Sequence, residues 1–270
     1  SSTRHSAARR RNGIHMIGKP HLVLLHGWAS HTEIFRPLAR ALGKNFRVTV
    51  MPLPGYGDAP ACEPYTLERI AGQLAASFAK SAPKTCHVLG WSLGAQVALM
   101  WAKRAPAQIE RLALVAATPC FVQRERWPHG VTPALMRQFA TQLKRDGGSL
   151  LRRFVALQSQ GDVQAVRVAH QLRTALFTHE LPASAALEAG LEILRATDLR
   201  ADLASITQPT LVINGEADAV TPCAAGEALS RALPNARFEA IAGAGHAPFL
   251  SRTDAFAAML SRFFDETTAV

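Results

Sequence analysis

The sequence predicts an α/β fold: a mostly parallel central sheet with helices on both faces and an inserted all-helical segment. Three observations predict it. Short β-prone runs alternate with helical runs through the first part of the chain, the alternation gives way to helices alone after Pro119, and it resumes near Thr210. Strands joined by helices need crossover connections, and because these are right-handed the helices fall on both faces of the sheet. At 270 residues, 48% of them hydrophobic, the chain is long enough for one such domain with a sizeable core.

Each element has its own reason. HLVLL at His21–Leu25 is short, apolar and β-prone, like a strand buried on both faces, and it ends in the loop His26-Gly27-Trp28. Residues 32–42 set Ile34, Phe35, Leu38, Ala41 and Leu42 at helical spacing. A strand at 46–51 runs into Pro52-Leu53-Pro54-Gly55-Tyr56-Gly57, too rich in breakers for helix or strand. A helix at 66–81 has Thr66 as N-cap and Leu67, Ile70, Leu74 and Phe78 on one face. A strand at 85–89, a helix at 93–105 closed by Pro106 and a strand at 111–116 complete the first half. Helices follow at 133–144, 149–158, 162–176 and 183–194, punctuated by Gly147-Gly148, Gly161 and Pro182. The last units are a strand at 210–214, a helix at 222–233, a strand at 237–241 and a helix at 253–264. Residues 21–118 and 196–270 thus form the core and 119–195 a helical lid over the carboxyl ends of the strands, where such sheets bind ligands.

The net charge of +10 is unevenly spread. Residues 1–20 hold five Lys/Arg and no acid, residues 119–187 nine and four, and residues 188–270 six and eleven. Half of the excess therefore sits in a basic leader, read as disordered or non-native, with Met16 a candidate start. No nucleic-acid module accompanies the charge, and nucleic acid is not expected as a partner. The leader lacks the apolar stretch of a secretory signal and no run is long enough to span a membrane, so a soluble protein is expected. Cys62, Cys86, Cys120 and Cys223 show no paired or zinc-like spacing, which points to a reducing, cytoplasmic setting without a metal. No heptad is visible, and monomer is the default.

Gly90-Trp91-Ser92-Leu93-Gly94 lies between a strand and a helix, the setting in which a Gly-x-Ser-x-Gly turn exposes its serine as a nucleophile. Alone, the motif also fits an ordinary turn with Ser92 as a cap. A serine nucleophile needs a base, and the base a carboxylate. Asp218 follows the strand at 210–214 and His246 tips the glycine-rich loop after the strand at 237–241, giving the order Ser, Asp, His. Glu216 is the rival acid, two residues earlier on the same loop. His26 also follows a strand, but His-Gly there shapes the oxyanion loop; His5, His15, His21, His31, His87, His129, His170 and His179 read as surface or structural. The oxyanion donors expected are the backbone N–H groups of Leu93, opening the helix, and Trp28, after the first strand.

These residues resemble the α/β-hydrolase superfamily from His21 to Phe264. Within it, LVLLHGW at 22–28, LPGYG at 53–57, LGWSLG at 89–94, ATPCF at 117–121, RFVALQ at 153–158, GLEIL at 190–194 and GHAPF at 245–249 are similar to the pimeloyl-[acyl-carrier protein] methyl ester esterase family of biotin synthesis. The resemblance implies an α/β-hydrolase fold, an acyl-enzyme on Ser92 with His246 as base and Asp218 orienting it, no cofactor, and an acyl carrier protein as partner. It also implies acyl contacts from Phe154, Val155, Ala156, Leu157 and Gln158, alongside Trp28, Ser92, Leu93 and His246. The basic lid suits an acidic carrier, with Arg152, Arg153, Arg167 and Arg173 as candidate contacts; a solvated helical face accounts for them equally. A general short-chain carboxylesterase, a thioesterase, a C–C hydrolase and a perhydrolase use the same triad, and a non-enzymatic binding module is the reading from another class.

Overall fold

In a computed structural model, which describes residues 18–81 and 84–266, the apolar runs become six strands. Residues 1–17 of the expected leader lie outside the described residues. The strands are β1 (His21–Leu25), β2 (Arg47–Met51), β3 (Cys86–Trp91), β4 (Ile109–Val115), β5 (Thr210–Gly215) and β6 (Ala236–Ile241). They form one sheet in the order β2-β1-β3-β4-β5-β6, every pair parallel. Burial follows that order: β1, β3 and β5 are buried along their length, whereas β2 and β6 at the edges alternate or lie half-exposed.

Nine helices join and cover the strands among the described residues: α1 (Arg36–Leu42), α2 (Leu67–Ala79), α3 (Leu93–Arg104), α4 (Pro133–Ser159), α5 (Ala165–Phe177), α6 (Ser184–Ala196), α7 (Cys223–Ala232), α8 (Pro248–Ser251) and α9 (Thr253–Asp265). The pleat of β3 shows how they divide between faces, because alternate side chains point to opposite sides. His87 stacks on Phe264 of α9 and Trp91 packs edge-on against Phe249 of α8, while Gly90, between them in register, meets α3. α2 packs on α3 and α1 on α9.

The register brings the strand ends level. Leu25 pairs with Gly90, Trp91 with Val115, Val115 with Ile213, and Gly215 with Ile241. The chain runs outward from β1 to β2, then crosses back to β3 on the other side of β1, so β1 and β3 flank the point where the strand order reverses. Crevices for ligands open there, beyond the carboxyl ends of the strands.

Several boundaries differ from the sequence expectation, each for a local reason. The helix expected over 32–42 is a 3₁₀ turn, Thr32–Phe35, followed by α1, because Pro37 near the start of α1 has no N–H to continue the ladder. The strand expected at 85–89 extends to Trp91, which hydrogen-bonds in register with Val115. The helices expected at 133–144 and 149–158 are two arms of α4 that meet at Asp146 (φ −155°, ψ 79°), whose Oδ1 caps the second arm by accepting from Ser149 N–H at 2.9 Å. α5 begins at Ala165 and not at 162, because Asp162 is held elsewhere.

α4, α5 and α6 stand between β4 and β5 as an insertion, and α4 packs on both α5 and α6. Its two ends meet at a neck where Leu199 N–H donates to Pro119 O at 2.9 Å.

Candidate active site

Ser92 occupies the turn between β3 and α3 with φ 58° and ψ −117°, a backbone conformation that costs a non-glycine residue about 1–3 kcal/mol. The turn is fixed from both sides. Ser92 N–H donates to Val115 O at 2.9 Å, and the flanking glycines let three backbone segments touch. A Cβ on Gly90 would lie 2.3 Å from Gly94 O, and one on Gly94 would lie 2.3 Å from Leu25 O. Gly27 faces the serine itself, its hypothetical Cβ 3.2 Å from Ser92 Cβ. Trp91 and Leu93 are fully buried while Ser92 is half-buried, so the turn presents the hydroxyl and hides its neighbours.

His246 and Asp218 arrive on the loops after β6 and β5. His246 Nδ1–H donates to the Asp218 carboxylate, at 2.8 Å to Oδ2 and 3.0 Å to Oδ1. Both side chains are buried, at 1% and 0% exposed. Asp218 Oδ1 also accepts from Val220 N–H at 2.8 Å and Thr221 N–H at 2.9 Å, so the carboxylate is aimed by its own loop. With Nδ1 committed, Nε2 is the basic lone pair; it is buried and has no hydrogen-bond partner among the described residues. The histidine loop is tied to the elbow by Trp91, whose indole N–H donates to His246 O at 2.8 Å. Glu216, the rival acid, is exposed.

The loop after β1 supplies the third wall. His26 is fully buried and holds the loop in place: its Nε2 accepts from Leu53 N–H at 3.1 Å and its Nδ1 contacts Gly27 O at 2.9 Å. Burial pushes its pKa down to about 4, so the ring is neutral and both nitrogens are used structurally. Ala29 takes φ 50° and donates its N–H to the Tyr56 hydroxyl at 3.2 Å. Between them stands Trp28. Leu93 N–H, at the first position of α3, belongs to the helix turn that lacks intrahelical acceptors, and the dipole there favours negative charge.

The inserted helices, the expected lid, touch this wall at the Trp28 side chain. Its indole N–H donates to Leu187 O of α6 at 2.9 Å, and its ring meets Phe154 of α4 edge-on at 5.2 Å. Of the expected acyl-contact run, Phe154, Val155 and Gln158 are buried and Leu157 is half-buried, whereas Ala156 faces solvent because it lies on the outer side of α4. Arg152, Arg153 and Arg173 are exposed. Arg167 is exposed too, and its guanidinium also donates to Leu250 O and Ser251 O, each at 2.8 Å. Open clefts among the described residues include two on the inserted helices, one of about 260 Å³ between α4 and α6, lined by Met136, Ala140 and Leu191, and one of about 530 Å³ between the two arms of α4, lined by Arg137, Arg145 and Arg153; two more, of about 360 and 490 Å³, lie where α5 and α6 meet the core. Ser92 lines none of these clefts.

Sequence reasoning missed Asp162. This buried acid joins the lid to the histidine loop; its one local signal was its place just ahead of an apolar helical run, where an aspartate reads as a cap. Among the described residues no three His, Cys, Asp or Glu side chains are grouped so as to hold a metal ion, and no helix is long and apolar enough to cross a membrane.

The alpha/beta hydrolase family profile matches residues 22–259. The chain is 40% identical over 237 residues to the pimeloyl-[acyl-carrier protein] methyl ester esterase of Nitrosomonas europaea, covering 88% of this chain and 92% of that one. It is likewise 40% identical to the protein of that name from Aromatoleum aromaticum, over 90% and 98% of the two chains. Among solved structures, an esterase from Exiguobacterium antarcticum superposes with a TM-score of 0.83 at 24% identity, over 93% of this chain and 94% of that one. A hydrolase from Pseudomonas aeruginosa superposes with a TM-score of 0.75 at 27% identity, over 92% and 91%.

Proposed function

The chain belongs to the alpha/beta hydrolase family, and from that premise we propose that it is a serine carboxylesterase that hydrolyses the methyl ester of pimeloyl-acyl carrier protein in biotin synthesis. The observation that carries the chemistry is the buried Asp218–His246 pair, with Nε2 unpaired at the sheet edge that also bears Ser92. Ser92 Oγ attacks the ester carbonyl carbon as its proton passes to His246 Nε2. The carbonyl oxygen gains the charge, and the N–H groups of Trp28 and Leu93 hold it. Collapse breaks the bond to the methoxy oxygen, which takes the proton from Nε2 and leaves as methanol. Water then attacks the acyl-enzyme, giving a proton to Nε2; the second collapse returns that proton to Ser92 and frees the carboxylic acid. Asp218 holds the imidazole in the tautomer with Nδ1 protonated and stabilises the imidazolium formed in each half.

The substrate rests on the two relatives at 40% identity and on the lid's charge. Arg152, Arg153, Arg167 and Arg173 are exposed cations available to an acidic carrier, Arg167 with one guanidinium nitrogen already bonded to Leu250 O and Ser251 O. Phe154, Val155, Leu157 and Gln158 flank the acyl chain in this reading, and the enzyme works as a cytoplasmic monomer.

Hydrolysis of the carrier-linked methyl ester and of p-nitrophenyl acetate tests the proposal. Ser92→Ala is expected to lose both activities by on the order of a thousandfold or more. Changing Arg152 and Arg153 together to Glu is expected to impair only the carrier-linked reaction. Wild type that cleaves the small ester and ignores the carrier-linked one would make the protein a general carboxylesterase; preference for acyl thioesters would make it a thioesterase. No labelling of Ser92 by a fluorophosphonate would overturn the serine chemistry.

A further inference from the structure

The loop that carries His246 is held from two sides. The core side is the Asp218 carboxylate, the Trp91 indole and Ala217 N–H, which donates to Ala244 O at 3.0 Å. The lid side is the end of α4 and the turn that leads from it to α5. There Gln158 O accepts from His246 N–H at 3.0 Å, Val163 N–H donates to Gly243 O at 2.8 Å, and Asp162 Oδ2 accepts from Gly245 N–H at 2.7 Å. Three of the four residues from Gly243 to His246 are therefore fastened to the lid by their main chain.

Asp162 is the side chain in this joint. It is 6% exposed and lies in no ion pair among the described residues, so its charge is met by hydrogen-bond donors alone. Besides Gly245 N–H, Oδ2 accepts from the Ser251 hydroxyl in a short contact, and Oδ1 accepts from Gln164 N–H at 2.7 Å. Every partner is a donor. A buried carboxylate is costly to retain unless such donors surround it, and a neutral amide there would turn an N–H against at least one of them. Gly245 has no room to slide, because a Cβ on it would lie 2.8 Å from Gln158 O.

We infer that Asp162 is a positioning residue for the base: through Gly245 it fixes the backbone of the histidine loop, sets where Nε2 stands relative to Ser92, and couples the seating of the lid to the readiness of the triad. The inference rests on the reading of His246 as base. It also divides the lid, since the α4–α5 turn stays bonded to the loop while the first arm of α4, beyond the break at Asp146, is free of that joint.

The test uses full-length protein and p-nitrophenyl acetate, which needs no carrier. Asp162→Asn is expected to lower kcat by on the order of tenfold to a hundredfold with KM within about twofold, as small misplacements of a catalytic group do. Its low-field proton resonance for the His246–Asp218 hydrogen bond should shift or broaden, with the melting transition still cooperative. Unchanged kcat and an unchanged resonance would overturn the inference, as would a loss of rate equal to the loss of folded protein. Should Asp162→Asn not fold, Gly245→Ala decides alone: it leaves the carboxylate and displaces the loop, and full kcat in that variant overturns the joint. Absence of ester hydrolysis in wild type is a failure of the serine-hydrolase reading, so the two are told apart.

Discussion

At the scale of single residues, one methyl group tests the turn at Ser92. Alanine normally stabilises a helix over glycine by up to about 1 kcal/mol, so Gly94→Ala on propensity alone would strengthen α3. Its Cβ, however, would lie 2.3 Å from Leu25 O and 2.6 Å from His26 O, main-chain atoms of β1 and the loop after it that cannot move independently. The clash wins, and Gly94→Ala is expected to lose about 3 kcal/mol of stability in denaturant titration and most esterase activity. His26 gives a pH signature. Its folded pKa of about 4 lies below the ordinary 6.5, so as pH falls below 6.5 the unfolded chain takes up a proton that the folded one refuses. Stability is lost from there down to about pH 4 and then levels off, a change on the order of 3 kcal/mol. Urea titrations across that range should show the fall in wild type and a shallower one in His26→Gln. The residues named from the sequence were those whose type and order carry information: a serine between glycines, then an acid and a histidine after later strands. Asp162 is different, because its meaning lies in Gly245, far along the chain, and no local pattern encodes that pairing.

At the scale of elements, one aromatic ring, the Trp28 indole, is a point where the inserted helices meet the core. Gly190 of α6 leaves space for the Trp28 indole, with a hypothetical Cβ only 2.8 Å from Trp28 Cδ1 and 3.3 Å from Nε1. Propensity again favours alanine in the helix, yet Gly190→Ala must push back either α6 or the indole whose N–H bonds Leu187 O. It is expected to lower the melting temperature and to reduce kcat on p-nitrophenyl acetate several-fold by shifting the loop of the Trp28 amide; a more stable variant of full activity would show the contact to be slack. Helix faces and strand runs were readable because burial imposes a period. Helix ends were less so. The break of α4 depends on Asp146 turning its carboxylate to Ser149 N–H, and the late start of α5 on Asp162 bonding across to the histidine loop, both choices made by side chains after the elements exist.

At the scale of the molecule, the alternation of strands and helices carried the parallel sheet and the position of the insertion. It could not carry the levelling of the strand ends, which comes from the register of five strand pairs and brings the loops after β1, β3, β5 and β6 to one edge. Charge is likewise a whole-molecule property. Residues 119–187 carry nine basic and four acidic residues, so on the proposed function the attraction of an acidic carrier to this segment is long-ranged and screened by salt. Raising ionic strength from 50 to 500 mM should therefore raise KM for the carrier-linked ester several-fold and leave KM for p-nitrophenyl acetate within about twofold. An equal effect on both would remove the electrostatic account of the carrier's approach.

The neck at Pro119 and Leu199 gives the insertion an unusual thermodynamic status. Because the outgoing chain after β4 and the returning chain before β5 are tied together there, by Leu199 N–H to Pro119 O and by the Arg124 and Arg200 guanidiniums to Arg195 O, Ala196 O and Glu125 O, the sheet sees a short, fixed connection whatever its length beyond that point. Closure entropy grows only by about 0.6 kcal/mol for each doubling of loop length, so the helices could be exchanged for another set at little cost to the pairing of β4 with β5. Their joint to the histidine loop is the counterweight. If Asp162 positions the base as inferred, a transplanted insertion that seals the neck but brings no carboxylate to Gly245 would fold over a slowed triad, and exchange of substrate preference in this architecture would then require the graft to carry its own anchor.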